Sequence, residues 1–116
     1  MAAEIRERDG VLIFKPSGRI IGPAGAELRE QINGELDKIS GAPKVLLDLG
    51  DVARIDSSGL GTLVACHVSV ARKSGRTGIT NIGSGVQNLI VMVRLMTVFE
   101  RFDTEDEAIT GLNSDG

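Results

Sequence analysis

The feature that most restricts this chain is the run Lys44-Val45-Leu46-Leu47-Asp48-Leu49. Its near-continuous apolar character predicts a strand buried on both faces, as at the centre of a parallel sheet. A central parallel strand needs crossover connections, so helical segments are expected before and after it. Both are present. Leu28, Ile32, Leu36 and Ile39 fall at spacings of four, four and three, which makes one apolar stripe, with Glu27, Arg29, Glu30 and Lys38 placed off it. Gly22-Pro23 opens that helix, and Gly41 and Pro43 close it. After the run, Leu60, Leu63, Val64, Val68 and Ala71 share the face of a second helix, with Gly75 as the expected C-terminal cap.

The remaining segments extend the alternation. Val11-Leu12-Ile13-Phe14 reads as a strand. Pro16 and Gly18 then suggest a bulge or an edge position before Arg19-Ile20-Ile21. Val52 to Ile55 and Gly78 to Ile82 read as short extended pieces, and Thr97-Val98-Phe99 as a last strand. Gly83-Ser84-Gly85 leads into a third stripe, Val86, Leu89, Ile90 and Val93. Thr104 and Glu107 have capping-box spacing before a terminal helix through Ala108 and Ile109, and the polar tail from Gly111 is expected to fray. The expected fold is α/β: a small mixed sheet of four to five strands with about four helices, mainly on one face. At 116 residues one domain is expected over 1–116, with a core from about 11 to 109.

Composition narrows the function. Aromatic residues make up 3% of the chain and the net charge is −3, so neither a base-stacking platform nor a cationic stripe for direct nucleic-acid contact is expected. The cluster Arg72, Lys73 and Arg76 sits where cations favour a helix C-terminus. No apolar run approaches a membrane span, and Met1 to Gly10, with Glu4, Glu7 and Asp9, lacks a signal core. A cytoplasmic protein without membrane insertion is expected. A single cysteine, Cys66, allows neither an intrachain disulfide nor a multi-cysteine metal site, and reads as a small buried hydrophobe.

The chemistry concentrates at Asp56-Ser57-Ser58-Gly59, between an extended piece and a helix. Either serine hydroxyl suits a helix cap. A hydroxyl there is also exposed on rigid elements where the helix dipole favours an added anion. Nucleophilic catalysis lacks a base. His67 is the only histidine, and it lies nine positions beyond Ser58, or roughly 14 Å at about 1.5 Å per residue. His67 reads as a packed or boundary residue. Gly83-Ser84-Gly85 lacks the lysine of a phosphate-binding loop, and Asp48, Asp51 and Asp56 match no cation loop. No catalytic residue, metal site or cofactor is expected.

The stretch Val45-Leu46-Leu47-Asp48-Leu49, followed by Ile55-Asp56-Ser57-Ser58-Gly59-Leu60-Gly61, resembles the signature of STAS domains, above all the bacterial anti-sigma factor antagonists. The likeness runs from Val11 to Ile109 and includes Leu95 to Phe99 and Glu107-Ala108-Ile109. It implies a phosphorylatable switch, not an enzyme. The unphosphorylated form would sequester an anti-sigma factor that is also a serine kinase using ATP, and a metal-dependent serine phosphatase would reset it. It implies Ser58 as acceptor, with Ser57 as second choice, and Asp56, Ser57, Gly59 and Leu60 in the docking surface. Many antagonists carry an acid or Asn in the loop before the first helix. Here Ile21 and Gly22 stand there instead, with Ile21 expected as a hydrophobic contact. A STAS subunit of an ABC-type lipid or solute transporter, a non-switching stressosome-like scaffold component, and a small enzyme are the competing readings.

Overall fold

A computed structural model describes residues 3–82 and 97–114. The stripe from Val86 to Val93, the Gly83-Ser84-Gly85 loop and Leu95 lie outside the described residues. The elements are β1 (Glu4–Arg8), β2 (Val11–Lys15), β3 (Ser17–Ile20), α1 (Pro23–Leu36), β4 (Lys44–Asp48), β5 (Asp51–Ile55), α2 (Ser57–Arg72), β6 (Arg76–Thr80), β7 (Glu100–Phe102) and α3 (Glu105–Leu112). Five strands form one sheet in the order β1-β2-β4-β6-β7, and β3 pairs with β5 in a second, two-stranded sheet. β4 is central and parallel to β2 and β6, as the apolar run requires. The expected mixed α/β sheet is present.

Alternation along β4 sorts the core into two. Val45 and Leu47 join Leu28, Ile32, Leu36, Leu63 and Val70 on the face covered by α1 and α2. Leu46 points the other way, to Val11, Ile13, Ala108, Ile109 and Leu112 beneath α3. Two of the three described helices therefore share a face, and the third closes the opposite one.

Several boundaries differ from the sequence reading, each for a local reason. β1 was not expected, because its pattern Glu-Ile-Arg-Glu-Arg carries one apolar residue. It forms as an antiparallel hairpin with β2 through Asp9-Gly10, whose φ angles of 51° and 81° are those of a two-residue primed turn. Arg6 and Arg8 of β1 then pair with Glu105 of α3. Thr97 and Val98 are helical, and the last strand begins at Glu100. α1 stops at Leu36, so Ile39 packs from beyond the helix. The tail does not fray at Gly111: α3 continues to Leu112, whose side chain is fully buried.

The end of α2 also differs. Gly75 donates to the Val70 carbonyl at 2.9 Å and Ser74 to that of Ala71 at 2.9 Å, a Schellman pattern. The left-handed residue in it is Ser74, at φ 61°, rather than Gly75. Gly75 is needed for another reason: a Cβ there would stand 2.1 Å from the Pro43 carbonyl oxygen. Ser74→Gly is therefore expected to stabilise the protein by about 1 kcal/mol, since a side chain in the left-handed region carries that order of penalty. Urea denaturation checks it, and an unchanged midpoint would contradict this account of the cap.

Candidate functional site

α2 begins at Ser57, three residues before the helical pattern becomes legible at Leu60. The residue that caps it is Asp56, and neither serine does. Asp56 Oδ1 accepts from the Gly59 amide at 2.9 Å, and Oδ2 accepts from the Gly22 amide at 3.3 Å. One carboxylate thus joins the first turn of α2 to the loop that opens α1. The carboxyl is held below its ordinary value of 3.8, first by the Gly59 amide and then by the amides of Gly22 and Ser58, against some desolvation. A group depressed in the folded state contributes stability above its unfolded pKa and loses it as pH falls through the folded value. Asp56→Asn is therefore expected to be less stable than wild type near neutral pH, with the gap closing below about pH 4. Urea midpoints measured across that range check the sign.

Because Asp56 does the capping, both hydroxyls are released from it. Ser57 and Ser58 are exposed, and among the described residues neither hydroxyl has a hydrogen-bond partner. Ile20 and Ile55, both buried, end the paired strands just below them, and Asp56 N–H reaches the Ile20 carbonyl at 3.4 Å. Gly59 is buried where α2 crosses that strand end. A Cβ on it would lie 2.3 Å from the Ile20 oxygen and 2.6 Å from Ile55 Cγ1. Leu60 and Ile21 are half-buried and Gly22 is exposed, and the hydrogen bonds from Gly22 to Asp56 and from Asp56 to Ile20 bring the first turn of α2, with Ser57, Ser58 and Leu60, beside the loop of Ile21 and Gly22.

Two contributors were missed in the sequence. Thr62 Oγ1 donates to the Gly25 carbonyl at 2.9 Å, and a Cβ on Gly25 would approach Thr62 Oγ1 to 3.0 Å. This contact presses the starts of α1 and α2 together. Its one signal, a threonine four residues after Ser58 on a helix, is too common to read alone. At the far end of the same helices, Lys73 Nζ donates to the Leu36 and Ile39 carbonyls at 2.7 and 2.9 Å. The sequence reading of Lys73 as a cation at a helix C-terminus holds, but the helix is the neighbouring one.

The other candidates fall into structural roles. Ser58 and His67 both lie in α2, so the separation of roughly 14 Å stands and no serine–histidine pair forms. His67 meets Phe99 edge-on at 5.7 Å between ring centroids. Cys66 is buried, and burial pushes its thiol up to about 12, which leaves it unreactive. Asp48 accepts from the Gly50 amide and Asn81, Asp51 faces Lys15, and Asp56 caps α2, so the three carboxylates are apart in function. Among the described residues no group of three or more metal-ligating side chains converges, and no helix is long and apolar enough to cross a membrane.

Comparison with known proteins places this geometry. The family model of the STAS domain matches residues 2–108. The anti-sigma F factor antagonist of Paenibacillus polymyxa is 26% identical over 109 residues, covering 94% of this chain and 92% of that protein. The crystal structure of an anti-sigma factor antagonist from Mycobacterium paratuberculosis superposes with a TM-score of 0.81 at 24% identity, covering 97% of this chain and 94% of that one. The anti-sigma factor antagonist SpoIIAA in its unphosphorylated form gives 0.73 at 17% identity, covering 97% and 99%. With the serine-bearing first turn of α2 mounted on this sheet and the family pattern running from residue 2 to residue 108, the chain belongs to the STAS domain family.

Proposed function

We infer that this chain, read as one domain over 1–116, is a cytoplasmic anti-sigma factor antagonist and not an enzyme. Its partner is an anti-sigma factor that is also a serine kinase using ATP. The partner docks on Asp56, Ser57, Leu60, Ile21 and Gly22, over a turn that the buried Gly59 supports from beneath, and phosphorylates Ser58, with Ser57 as second choice. A metal-dependent serine phosphatase returns the chain to its binding form. The observation that supports this reading best is that Asp56 carries the cap, leaving two exposed hydroxyls with no structural duty on a rigid helix start.

The chemistry is electrostatic. A phosphoryl group adds about −1.5 to −2 charges beside the fixed Asp56 carboxylate, at a helix end whose dipole tolerates it. The fold is undisturbed, while an apolar or anionic partner surface covering the turn loses affinity tenfold for each 1.4 kcal/mol of repulsion.

The test is intact mass with fragmentation after incubation with the kinase candidates of the same genome and ATP, and of protein isolated across growth and stress. Addition of one phosphoryl group at Ser58, lost in Ser58→Ala, supports the switch. A chain unmodified in every condition overturns it in favour of a constitutive role, as a transporter's STAS subunit or a stressosome-like scaffold.

A further inference from the structure

The small sheet beside the serines carries an unusual juxtaposition. β3 and β5 run parallel with Ser17 opposite Asp51 and Gly18 opposite Val52, then the register shifts. Ala53 is the extra residue, so Arg19 stands opposite Arg54 and Ile20 opposite Ile55. The bulge thereby turns both isoleucines into the core and sets both arginines side by side on the opposite, exposed face. Like charges directly across a ladder disfavour the pairing. No acid relieves them: among the described residues neither guanidinium has an ion pair or a side-chain hydrogen bond. The carboxylates nearest to Arg54 in sequence are engaged, Asp51 with Lys15 at 3.6 Å and Asp56 with the Gly59 and Gly22 amides.

We propose that Arg19 and Arg54 form a two-pronged receptor for carboxylate groups on the surface of the docking partner. This rests on the reading of the adjacent serine turn as the partner-binding end. Arg19 precedes Gly22 by three residues and Arg54 precedes Ser57 by three, so a protein seated on the turn abuts the pair. Two guanidiniums in fixed register match paired Asp or Glu side chains, each of which a guanidinium binds through two parallel hydrogen bonds. Charge balance favours the same occupant. On a chain whose net charge is −3, two unpaired guanidiniums side by side make a local cationic spot, complementary to carboxylates and to no cationic surface. Such an arrangement fixes orientation and association rate more than bare affinity. A phosphate added at Ser58 then places an anion beside the pair and disfavours the carboxylates it holds.

The test uses the full chain labelled with nitrogen-15 at arginine, titrated with hexaglutamate as the probe and hexaglutamine as its neutral control. The Nε signals of Arg19 and Arg54 are expected to move together on one saturating curve with hexaglutamate. Those of exposed Arg29, Arg72 and Arg101 should stay put. The double variant Arg19→Gln/Arg54→Gln, altered only at exposed positions, should bind the probe at least tenfold more weakly with a melting temperature no lower than that of wild type. All five arginines responding alike, or a double variant binding as wild type does, would overturn the proposal. Probe binding at the pair without phosphoryl transfer to Ser58 would sink the switch and leave the receptor standing. Transfer to Ser58 without any response of the pair would do the reverse.

Discussion

Gly59→Ala is expected to lower stability by about 3 kcal/mol, the upper range for forcing one extra carbon into a closed site. The added Cβ would meet the Ile20 carbonyl oxygen at 2.3 Å, Ile55 Cγ1 at 2.6 Å and Ile20 Cγ2 at 2.9 Å. The first of these is backbone of a paired strand, and it cannot rotate away as a side-chain tip can. Relief requires α2 to lift off the end of β3, and that movement also pulls Asp56 from the Gly22 amide. The melting temperature should fall by roughly 10 °C for a chain of this size. Gly61→Ala is the control in the same helix: Gly61 is exposed and has no heavy atom within 4 Å of the added carbon. Alanine there should stabilise by about 0.5–1 kcal/mol through helix propensity. Thermal melts of the two variants read the difference, and equal behaviour would refute the close approach.

Leu112→Ala should cost about 3 kcal/mol, within the range for truncating a buried leucine. Leu112 is fully buried against Val11, Ile13 and Leu46, on the sheet face that α3 closes. Phe102 fits beside it in a slot left by two glycines, since a Cβ at Gly111 or Gly78 would come within 2.3 or 2.8 Å of its ring. Deleting the leucine side chain opens a cavity between helix and sheet and loosens that ring. Ser114→Ala, two residues further on and exposed, should stay within about 0.5 kcal/mol of wild type. Urea denaturation of both variants decides whether the chain end is packed; two neutral results would restore a frayed tail.

The central strand and both long helices were legible because their signal is burial, and burial writes a period into the sequence. Lys44 to Leu49 is apolar on both faces, and Leu28, Ile32 and Leu36 all reached the core. β1 was illegible for the converse reason. It lies at the sheet edge with charges on one side, and it is fixed by a two-residue turn and by pairs to Glu105 nearly a hundred positions away. The serine turn was found, but its capping residue was not, because Asp and Ser are about equally good caps. Phase decides: with Ile55 buried, Asp56 is left extended at φ −104° and its carboxylate faces the Gly59 amide. The Arg19–Arg54 pairing depends on the register shift between Gly18 and Arg19; Gly18 signals a bulge or an edge, but nothing in the sequence marks Ala53 of the partner strand as the extra residue.

The tie between α1 and α2 has one more consequence. A carboxylate and a threonine join their starts, and an ammonium joins their ends. Fastened at three places, the two helices act as a single stiff plate, and the serines stand on its rim. A plate has no hinge through which a mark on its rim is felt elsewhere. A message inscribed there is read by touch, and only a reader that grips the rim receives it.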